Sequence, residues 1–308
     1  MQTLSRKGKI KKTVRSVKDM LKNVMNRLPL NDGYTIPGIG FGTSGISNQD
    51  AEELIFMAIM RGYRLIDTAS WYKNEEGVGR GIKKAMNAGI SREDIFVVSK
   101  VWKDEMGYHE AVEAFERSYE RLGLDYIDLY LIHWPSSEEG KNLETWKALE
   151  ELKDSGRVRS IGVSNFNRGE LNEILKEARV KPSVNQLSVN PENSNVGLCE
   201  FCSSNNIVVM GYSPLGAGKV NKDKKLASIG NKYYKSPAQI ALKWSIDRDI
   251  VPIPKTRHAE RMIENLELFD FELTKEDMEL LNSIDQQNDS PKKRKDDNQG
   301  RRHGSRKN

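Results

Sequence analysis

The chain is predicted to fold as an α/β protein, a (β/α)8 TIM barrel with an N-terminal β-hairpin at the barrel bottom and an extra C-terminal helix. Short apolar runs alternate with amphipathic stretches at helical spacing from about residue 37 to residue 255. Eight such runs match the strands of one closed barrel. The predicted strands end near Phe41-Gly42, Asp67, Lys100, His133, Ser164, Gln186, Tyr212 and Ile253.

Each connecting element has its own local signal. Residues 28–37 contain Asn31-Asp32-Gly33, a tight-turn signal between apolar residues, which predicts the hairpin. Gly123 and Gly156 mark helix ends, and Pro237 marks the first turn of a helix. A last helix is predicted near Lys275–Ile284. The helices between the strands are predicted over residues 50–60, 76–86, 111–122, 143–153, 169–178, 196–203 and 236–246.

Composition limits the class of protein. The chain is 30% charged and lacks an apolar stretch of the roughly 18 residues that span a bilayer, so we expect a soluble protein. Its two cysteines favour a reducing, cytoplasmic location over a disulfide-rich secreted one. Cys199 and Cys202 form a C-x-x-C without a second pair or a nearby histidine, so no metal site is expected. Cys202 and Phe201 are expected to pack inward, and a redox role is the alternative.

Charge divides the chain into three parts. Residues 1–28 carry +8 and residues 286–308 carry +5, so the body between them carries −8. We predict a basic amphipathic extension over 1–27, the barrel over 28–285 and a basic disordered tail over 286–308. Membrane contact or targeting is the alternative for the extension, and nucleic-acid binding or nuclear targeting is the alternative for the tail, through Pro291-Lys-Lys-Arg-Lys295. The protein is expected to be a monomer.

A glycine-rich segment admits two interpretations. Gly40-Phe-Gly-Thr-Ser-Gly45 matches the dinucleotide-binding pattern G-x-G-x-x-G, and Asp67 follows 22 residues later. Pro37 and Gly38, however, are poor material for the buried central strand that such a unit needs. The favoured interpretation places Gly42 and Thr43 at the tip of the first barrel strand, where small residues let a flat ring approach the backbone.

Four polar side chains follow predicted strands and are expected to meet. The C-terminal ends of parallel barrel strands share one rim, which brings Asp67, Tyr72, Lys100 and His133 together. A tyrosine with a pKa of about 10 needs a nearby cation to act as an acid/base group. Lys100 can supply that charge, and Asp67 can hold the ammonium. This set suits a reaction in which a carbonyl becomes an alkoxide and receives a proton.

Motifs at the strand ends resemble those of the aldo-keto reductases. The similarity covers about residues 28–285, and one motif stands at each strand after the first. These motifs are Ile66-Asp-Thr-Ala-Ser-Trp-Tyr-Lys-Asn-Glu75, Ser99-Lys-Val-Trp102, Leu131-Ile-His-Trp-Pro135, Ile161-Gly-Val-Ser-Asn-Phe166, Val184-Asn-Gln186, Gly211-Tyr-Ser-Pro-Leu-Gly216 and Ile253-Pro-Lys-Thr256 with Arg261 and Asn265.

The resemblance implies an NADPH-dependent aldehyde and ketone reductase. Tyr72 would donate the proton, Lys100 would lower the pKa of Tyr72, Asp67 would pair with Lys100, and His133 would orient the carbonyl. The nicotinamide would stack on Tyr212. The other cofactor contacts implied are Gly42, Thr43, Asp67, Ser164, Asn165, Gln186, Ser213, Leu215, Lys255, Thr256, Arg261 and Asn265.

Lys255, Thr256 and Arg261 match positions that hold the adenosine 2′-phosphate, which favours NADPH over NADH. A solvated basic helix start is the alternative.

The expected substrate pocket is aromatic. Trp71, Trp102 and Trp134 each flank a predicted catalytic position, which suits small aldehydes, ketoaldehydes and keto-sugars. Ser44 stands where many relatives have tryptophan, and no aromatic residue follows Phe271, so a broad substrate range is expected. The alternative from another class is a cofactor-sensing regulatory protein on the same barrel, which the complete acid/base set disfavours.

Overall fold

The structure, a computed structural model, describes residues 26–286. Two short antiparallel strands, β1 (Arg27–Pro29) and β2 (Thr35–Pro37), form a hairpin. Eight parallel strands follow, each beside its neighbour in sequence. They are β3 (Phe41–Gly42), β4 (Leu65–Asp67), β5 (Phe96–Val101), β6 (Ile127–Ile132), β7 (Val158–Ser164), β8 (Val184–Ser188), β9 (Val208–Tyr212) and β10 (Ile250–Pro252).

Backbone hydrogen bonds close the eight strands into a barrel. The N–H of Gly40 donates to the carbonyl of Pro252 at 2.9 Å, and the N–H of Gly42 donates to that of Pro254 at 3.0 Å. A Cβ atom at Gly42 would lie 3.1 Å from the carbonyl oxygen of Ile253, so glycine permits this close approach. The predicted barrel is confirmed, and the dinucleotide-binding interpretation of this segment does not apply.

Helices cover the outside of the barrel. They are α1 (Asn48–Met60), α2 (Glu75–Asn87), α3 (Tyr108–Leu122), α4 (Lys141–Asp154), α5 (Arg168–Glu177), α6 (Val196–Ser204), α7 (Lys224–Tyr233), α8 (Pro237–Ile246), α9 (Ala259–Glu264) and α10 (Lys275–Gln286). Seven match the predicted inter-strand helices, and α10 matches the predicted C-terminal one. The sequence did not predict α7 and α9, because α7 buries only Leu226, Ile229 and Gly230 and α9 only Met262.

The hairpin sits at the barrel bottom, as predicted. Leu30 and Ile36 are buried in one cluster with Leu65, Phe96 and Val184, which are the first residues of β4, β5 and β8. The side-chain amide of Asn31 donates to the carbonyl of Pro182, just before β8, at 2.8 Å. The apolar contacts and this hydrogen bond fix the hairpin against the strand starts.

Several sequence predictions concern features away from the rim. Cys199 and Cys202 are free and buried on α6, and Phe201 is half-buried, so the inward packing of this segment is confirmed. Within residues 26–286, no helix is both long and apolar enough to cross a membrane, and no group of three or more His, Cys, Asp or Glu could hold a metal ion. The N-terminal extension and the basic tail lie outside the described residues, apart from their junctions with the barrel.

Candidate active site

One cleft of about 990 Å³ opens at the C-terminal rim of the barrel. It gathers almost every residue that the sequence predicted for the site. Lys100 and Thr43 lie behind its wall, both fully buried. The predicted residues that line the cleft are Gly42, Asp67, Trp71, Tyr72, Trp102, His133, Trp134, Ser164, Asn165, Gln186, Tyr212, Ser213, Leu215, Lys255, Thr256, Arg261 and Asn265.

A buried ion pair lies under the cleft. Nζ of Lys100 is 2.8 Å from Oδ2 of Asp67 and donates to the carbonyl of Thr68 at 2.7 Å. The side-chain amide of Gln186 donates to the same Asp67 oxygen at 2.8 Å. Burial lowers the pKa of Lys100, and the charge and hydrogen bond of Asp67 act in the opposite direction. Asp67 is therefore the group that keeps the buried ammonium charged.

Tyr72 ends the short 3-10 helix Ser70–Tyr72, just past β4. Nζ of Lys100 lies 5.1 Å from the centroid of its ring. Burial raises the pKa of Tyr72 above its ordinary value, the charge of Asp67 raises it further, and a hydrogen bond from Ser44 lowers it. The net shift is upward, so the phenol holds its proton at neutral pH. The predicted lowering of this pKa by Lys100 is not seen in the net shift and stays a prediction.

His133 follows β6 and faces Tyr72 across the cleft. The two rings are 5.6 Å apart at 82°, and the ring of Trp102 lies 5.0 Å from His133 at 78°. Burial lowers the pKa of His133 to about 2, and the charge of Lys100 contributes to this shift. The imidazole is therefore neutral over the ordinary pH range, so it can donate a hydrogen bond without carrying a charge.

Three tryptophans surround the cleft near His133 and Tyr72. Trp71 and Trp102 stack with ring centroids 4.2 Å apart and planes 12° apart. The side chains of Trp71 and Trp134 remain 52% and 40% exposed. Large exposed aromatic surface beside a cleft is typical of a ligand-binding wall.

A group of amide and hydroxyl side chains lies beside the ring of Tyr212. The hydroxyl of Tyr212 donates to Oδ1 of Asn165 at 2.9 Å. Nδ2 of Asn165 donates to the carbonyl of His133 and to Oγ of Ser164, both at 3.0 Å. Asn165 adopts a left-handed φ of 65°, a conformation that asparagine tolerates better than most residues. The arrangement places donors and acceptors next to an aromatic face.

The far end of the cleft carries positive charge. Within residues 26–286, neither Lys255 nor Arg261 has a carboxylate within ion-pair distance, whereas Arg257 is 4.0 Å from Asp50. Oγ1 of Thr256 accepts a hydrogen bond from the N–H of His258 at 3.0 Å. Two available cations with a neighbouring hydroxyl are a donor set that fits a phosphate group.

Comparisons with known proteins identify the family. Residues 38–286 match the Aldo/keto reductase family. The chain belongs to this family.

Its relatives include enzymes with stated activities. The chain is 44% identical over 270 residues to the glyoxal reductase of Bacillus subtilis, which covers 87% of this chain and 94% of that protein. An aldo/keto reductase crystal structure from Brucella melitensis superposes with a TM-score of 0.81 at 42% identity, covering 84% of this chain and 99% of the other. The crystal structure of a Bombyx mori aldo-keto reductase in complex with NADP superposes with a TM-score of 0.79 at 39% identity. The match covers 84% of this chain and 92% of the other. This aldo-keto reductase is thus an oxidoreductase of that family.

The cleft also contains residues that the sequence did not predict as site members. Two of them, Ala217 and Gly218, have left-handed φ values of 54° and 89° in the turn after β9, and the glycines at 216 and 218 were an available signal for that turn. In the sequence, Ser44 is only a departure from relatives that have tryptophan at this position. The full unpredicted set is Ser44, Pro214, Ala217, Gly218, Asn221, Ala238, Ile253, Pro254 and Glu264.

Proposed function

We propose that this aldo-keto reductase uses NADPH to reduce aldehydes and ketones to alcohols, with Tyr72 as the proton donor. One observation carries the proposal. The phenol of Tyr72 and the neutral ring of His133 face the same part of the cleft, above the buried pair of Lys100 and Asp67. The glyoxal reductase and the NADP-bound relative support the same reaction.

The cleft offers partners for each part of the cofactor. Bound NADPH would supply the hydride. The ring of Tyr212 would carry the nicotinamide on one face, and the amide and hydroxyl groups beside it would hold the carboxamide. Those groups belong to Ser164, Asn165 and Gln186. Gly42, Thr43 and Asp67 would lie beneath the ring, where their small or buried side chains leave room.

The phosphates would occupy the positive end of the cleft. The 2′-phosphate would bind to Lys255, Thr256 and Arg261. Among the described residues, neither of the two cations has a carboxylate partner, so both charges remain available to a phosphate. Asn265 would face the adenine, and Ser213 and Leu215 would contact the pyrophosphate. This distribution favours NADPH over NADH.

The protein groups have separate tasks at the carbonyl. His133 and Tyr72 would both donate hydrogen bonds to the carbonyl oxygen, which orients it and stabilises the negative charge that develops there. As the alkoxide forms, the hydroxyl of Tyr72 gives up its proton. His133 is not the acid, since its pKa of about 2 leaves it without a second proton at neutral pH.

Lys100 and Asp67 would act on the phenolate that remains. The ammonium is 5.1 Å from the ring of Tyr72, close enough for its charge to stabilise the anion in a buried site. Asp67 keeps that ammonium in place. The charge of Lys100 would therefore matter most after proton transfer, when Tyr72 has become negative.

The substrate is proposed to be a small aldehyde, a ketoaldehyde or a keto-sugar, held by Trp71, Trp102 and Trp134. The test is the loss of reduced-cofactor absorbance with glyoxal, methylglyoxal and a keto-sugar, each with NADPH and with NADH. We expect turnover of at least one dicarbonyl and a preference for NADPH. Absence of turnover with every carbonyl, despite NADPH binding, would favour the cofactor-sensing alternative.

The domain boundaries, the cytoplasmic location and the monomeric state remain proposals. The family match ends at residue 286, and the described residues cover 26–286. We expect a protein without residues 1–25 and 287–308 to elute as a monomer and to keep the turnover of the full chain. Loss of turnover on removing either end would show that the ends belong to the enzyme unit.

A further inference from the structure

The turn after β9 contains four residues with left-handed backbone. Ser213 has a φ of 50°, and Gly216, Ala217 and Gly218 have values of 52°, 54° and 89°. Glycine adopts this region readily, whereas serine and alanine do so at a cost that surrounding contacts must offset. Ser213 is the first of the four, and it lines the cleft. Its conformation therefore sets the direction in which the turn leaves β9.

Two hydrogen bonds hold the carbonyl of Ser213. The N–H of Gly216 donates to it at 2.9 Å from within the turn. Nδ2 of Asn190 donates to it at 3.3 Å from the loop after β8. The first bond belongs to the turn itself, whereas the bond from Asn190 ties Ser213 to a different part of the rim.

Asn190 lies behind the turn and is itself held in place. Only 6% of its surface is exposed, and a Cβ atom at Gly216 would lie 3.9 Å from its Cγ. Its backbone N–H donates to the carbonyl of Asn193 at 3.1 Å. Its Oδ1 accepts the N–H of Glu192 at 3.0 Å. Because that backbone donor needs an oxygen, the amide nitrogen is the atom that faces Ser213.

The two neighbouring strands bring these segments together. The N–H of Val189, just past the end of β8, donates to the carbonyl of Tyr212, the last residue of β9, at 3.2 Å. Asn190 comes next on one segment, and Ser213 comes next on the other. Their hydrogen bond therefore continues the contact of the two strands beyond their ends. It reaches the part of the cleft where the pyrophosphate of the cofactor is proposed to bind.

We propose that Asn190 is a positioning residue for the pyrophosphate of the bound cofactor. This inference rests on the function proposed above, in which Ser213 and Leu215 contact that group. Asn190 holds Ser213 in its left-handed conformation before the cofactor arrives, so binding does not have to order the turn. Without this bond, part of the population leaves the conformation, and the apparent affinity falls with the fraction that remains competent.

The test compares Asn190→Ala and Asn190→Asp with a control, Asn193→Ala, in the full chain. Asn193 is an exposed asparagine of the same loop, and its Nδ2 donates to the carbonyl of Ser188 instead. Calorimetry measures the binding of NADPH and of adenosine 2′-phosphate, which lacks the pyrophosphate. We expect both Asn190 variants to bind NADPH about three- to tenfold more weakly, the range that one hydrogen bond is worth. Adenosine 2′-phosphate should bind them with the parental affinity, and the control should bind both ligands like the parent.

The aspartate variant separates the two hydrogen bonds of the Asn190 side chain. It keeps the size of the side chain and the oxygen that accepts from Glu192, and it loses the donor to Ser213. It also tests the inference if the alanine variant fails to fold. Its added charge would repel both ligands, so parental affinity for adenosine 2′-phosphate excludes a charge effect across the cleft.

The outcomes are distinct. Weaker NADPH binding in both Asn190 variants, with parental binding of adenosine 2′-phosphate, supports the inference. Parental NADPH affinity in either variant overturns it. Equal weakening of both ligands also overturns it, because the cleft as a whole would then have loosened. Failure of the proposed function would be seen differently, as absent NADPH binding or absent carbonyl turnover in the parent.

Discussion

The two ends of the barrel each bury a cation against a carboxylate, and the pairs have different surroundings. At the rim, Lys100 pairs with Asp67 at 2.8 Å, with side-chain exposures of 0% and 3%. At the bottom, Arg92 pairs with Asp128 at the same 2.8 Å, with exposures of 6% and 4%. By distance and burial the pairs are alike. The two pairs differ in the other groups that contact them.

The bottom pair is engaged by protein on most sides. Arg92 also donates to the carbonyls of Ile95 and Tyr126, and the N–H of Val97 donates to Asp128 at 2.9 Å. These contacts join the short 3-10 helix Arg92–Asp94 to the starts of β5 and β6. The bottom pair therefore stabilises the packing of these segments. At the rim, Asp67 lines the open cleft and Lys100 lies under the ring of Tyr72. The same chemistry is thus structural at one end and available to a reaction at the other.

Removing the rim cation is expected to have the largest effect on activity. Lys100→Met should lower turnover by about 100-fold or more, because the phenolate of Tyr72 loses the charge that stabilises it. Asp67 stays buried and keeps the side-chain amide of Gln186 as a partner, so this variant should lose stability as well, and turnover is compared per folded molecule. Turnover and thermal unfolding measured on one preparation check this. Parental turnover would remove Lys100 from the proposed mechanism.

Removing the bottom cation should lower stability and leave turnover unchanged. Arg92→Met leaves the buried Asp128 with Arg159, 3.4 Å away and partly exposed, as its remaining ion partner, which is expected to cost about 2 kcal/mol of folding free energy. Turnover per folded molecule should stay near that of the parent. Denaturant unfolding and an active-site titration of the folded fraction measure the two quantities. A large loss of turnover in folded protein would show that the two ends are not separable in this way.

The rim should also contribute pH sensitivity through His133. The unfolded chain binds a proton at His133 below about pH 6.5, whereas the folded protein does not until about pH 2. The unfolded state then binds more protons, so stability falls as the pH drops below 6.5, by at most about 1.4 kcal/mol per unit from this group.

His133→Asn should flatten that dependence between about pH 4 and pH 6. The exposed His109 provides a control, since His109→Asn should keep the parental slope. Denaturant unfolding at several pH values gives both slopes. If His133→Asn unfolds with the parental pH dependence, the histidine is not held neutral in the folded protein.

The sequence predicted the rim better than it predicted what surrounds the rim. The strand ends could be predicted because each apolar run stops at a polar residue. Parallel strands then bring those residues to the same rim, as they do for Asp67, Lys100 and His133. The position of Ser44 in the wall of the cleft could not be predicted. It depends on Asn74 bonding to carbonyls 28 and 31 residues away, and no local pattern encodes that. The helix α7 was missed for a related reason, because it buries too few apolar residues.

In the proposed mechanism, Tyr72 supplies the proton at the rim. The most direct measurement is the turnover of Tyr72→Phe with glyoxal and NADPH, alongside NADPH binding followed by protein fluorescence. Phenylalanine keeps the ring and removes only the hydroxyl. We predict unchanged NADPH affinity and a loss of turnover of about 100- to 10,000-fold, the contribution typical of a general acid. Turnover at the parent rate with intact NADPH binding would rule out Tyr72 as the proton donor.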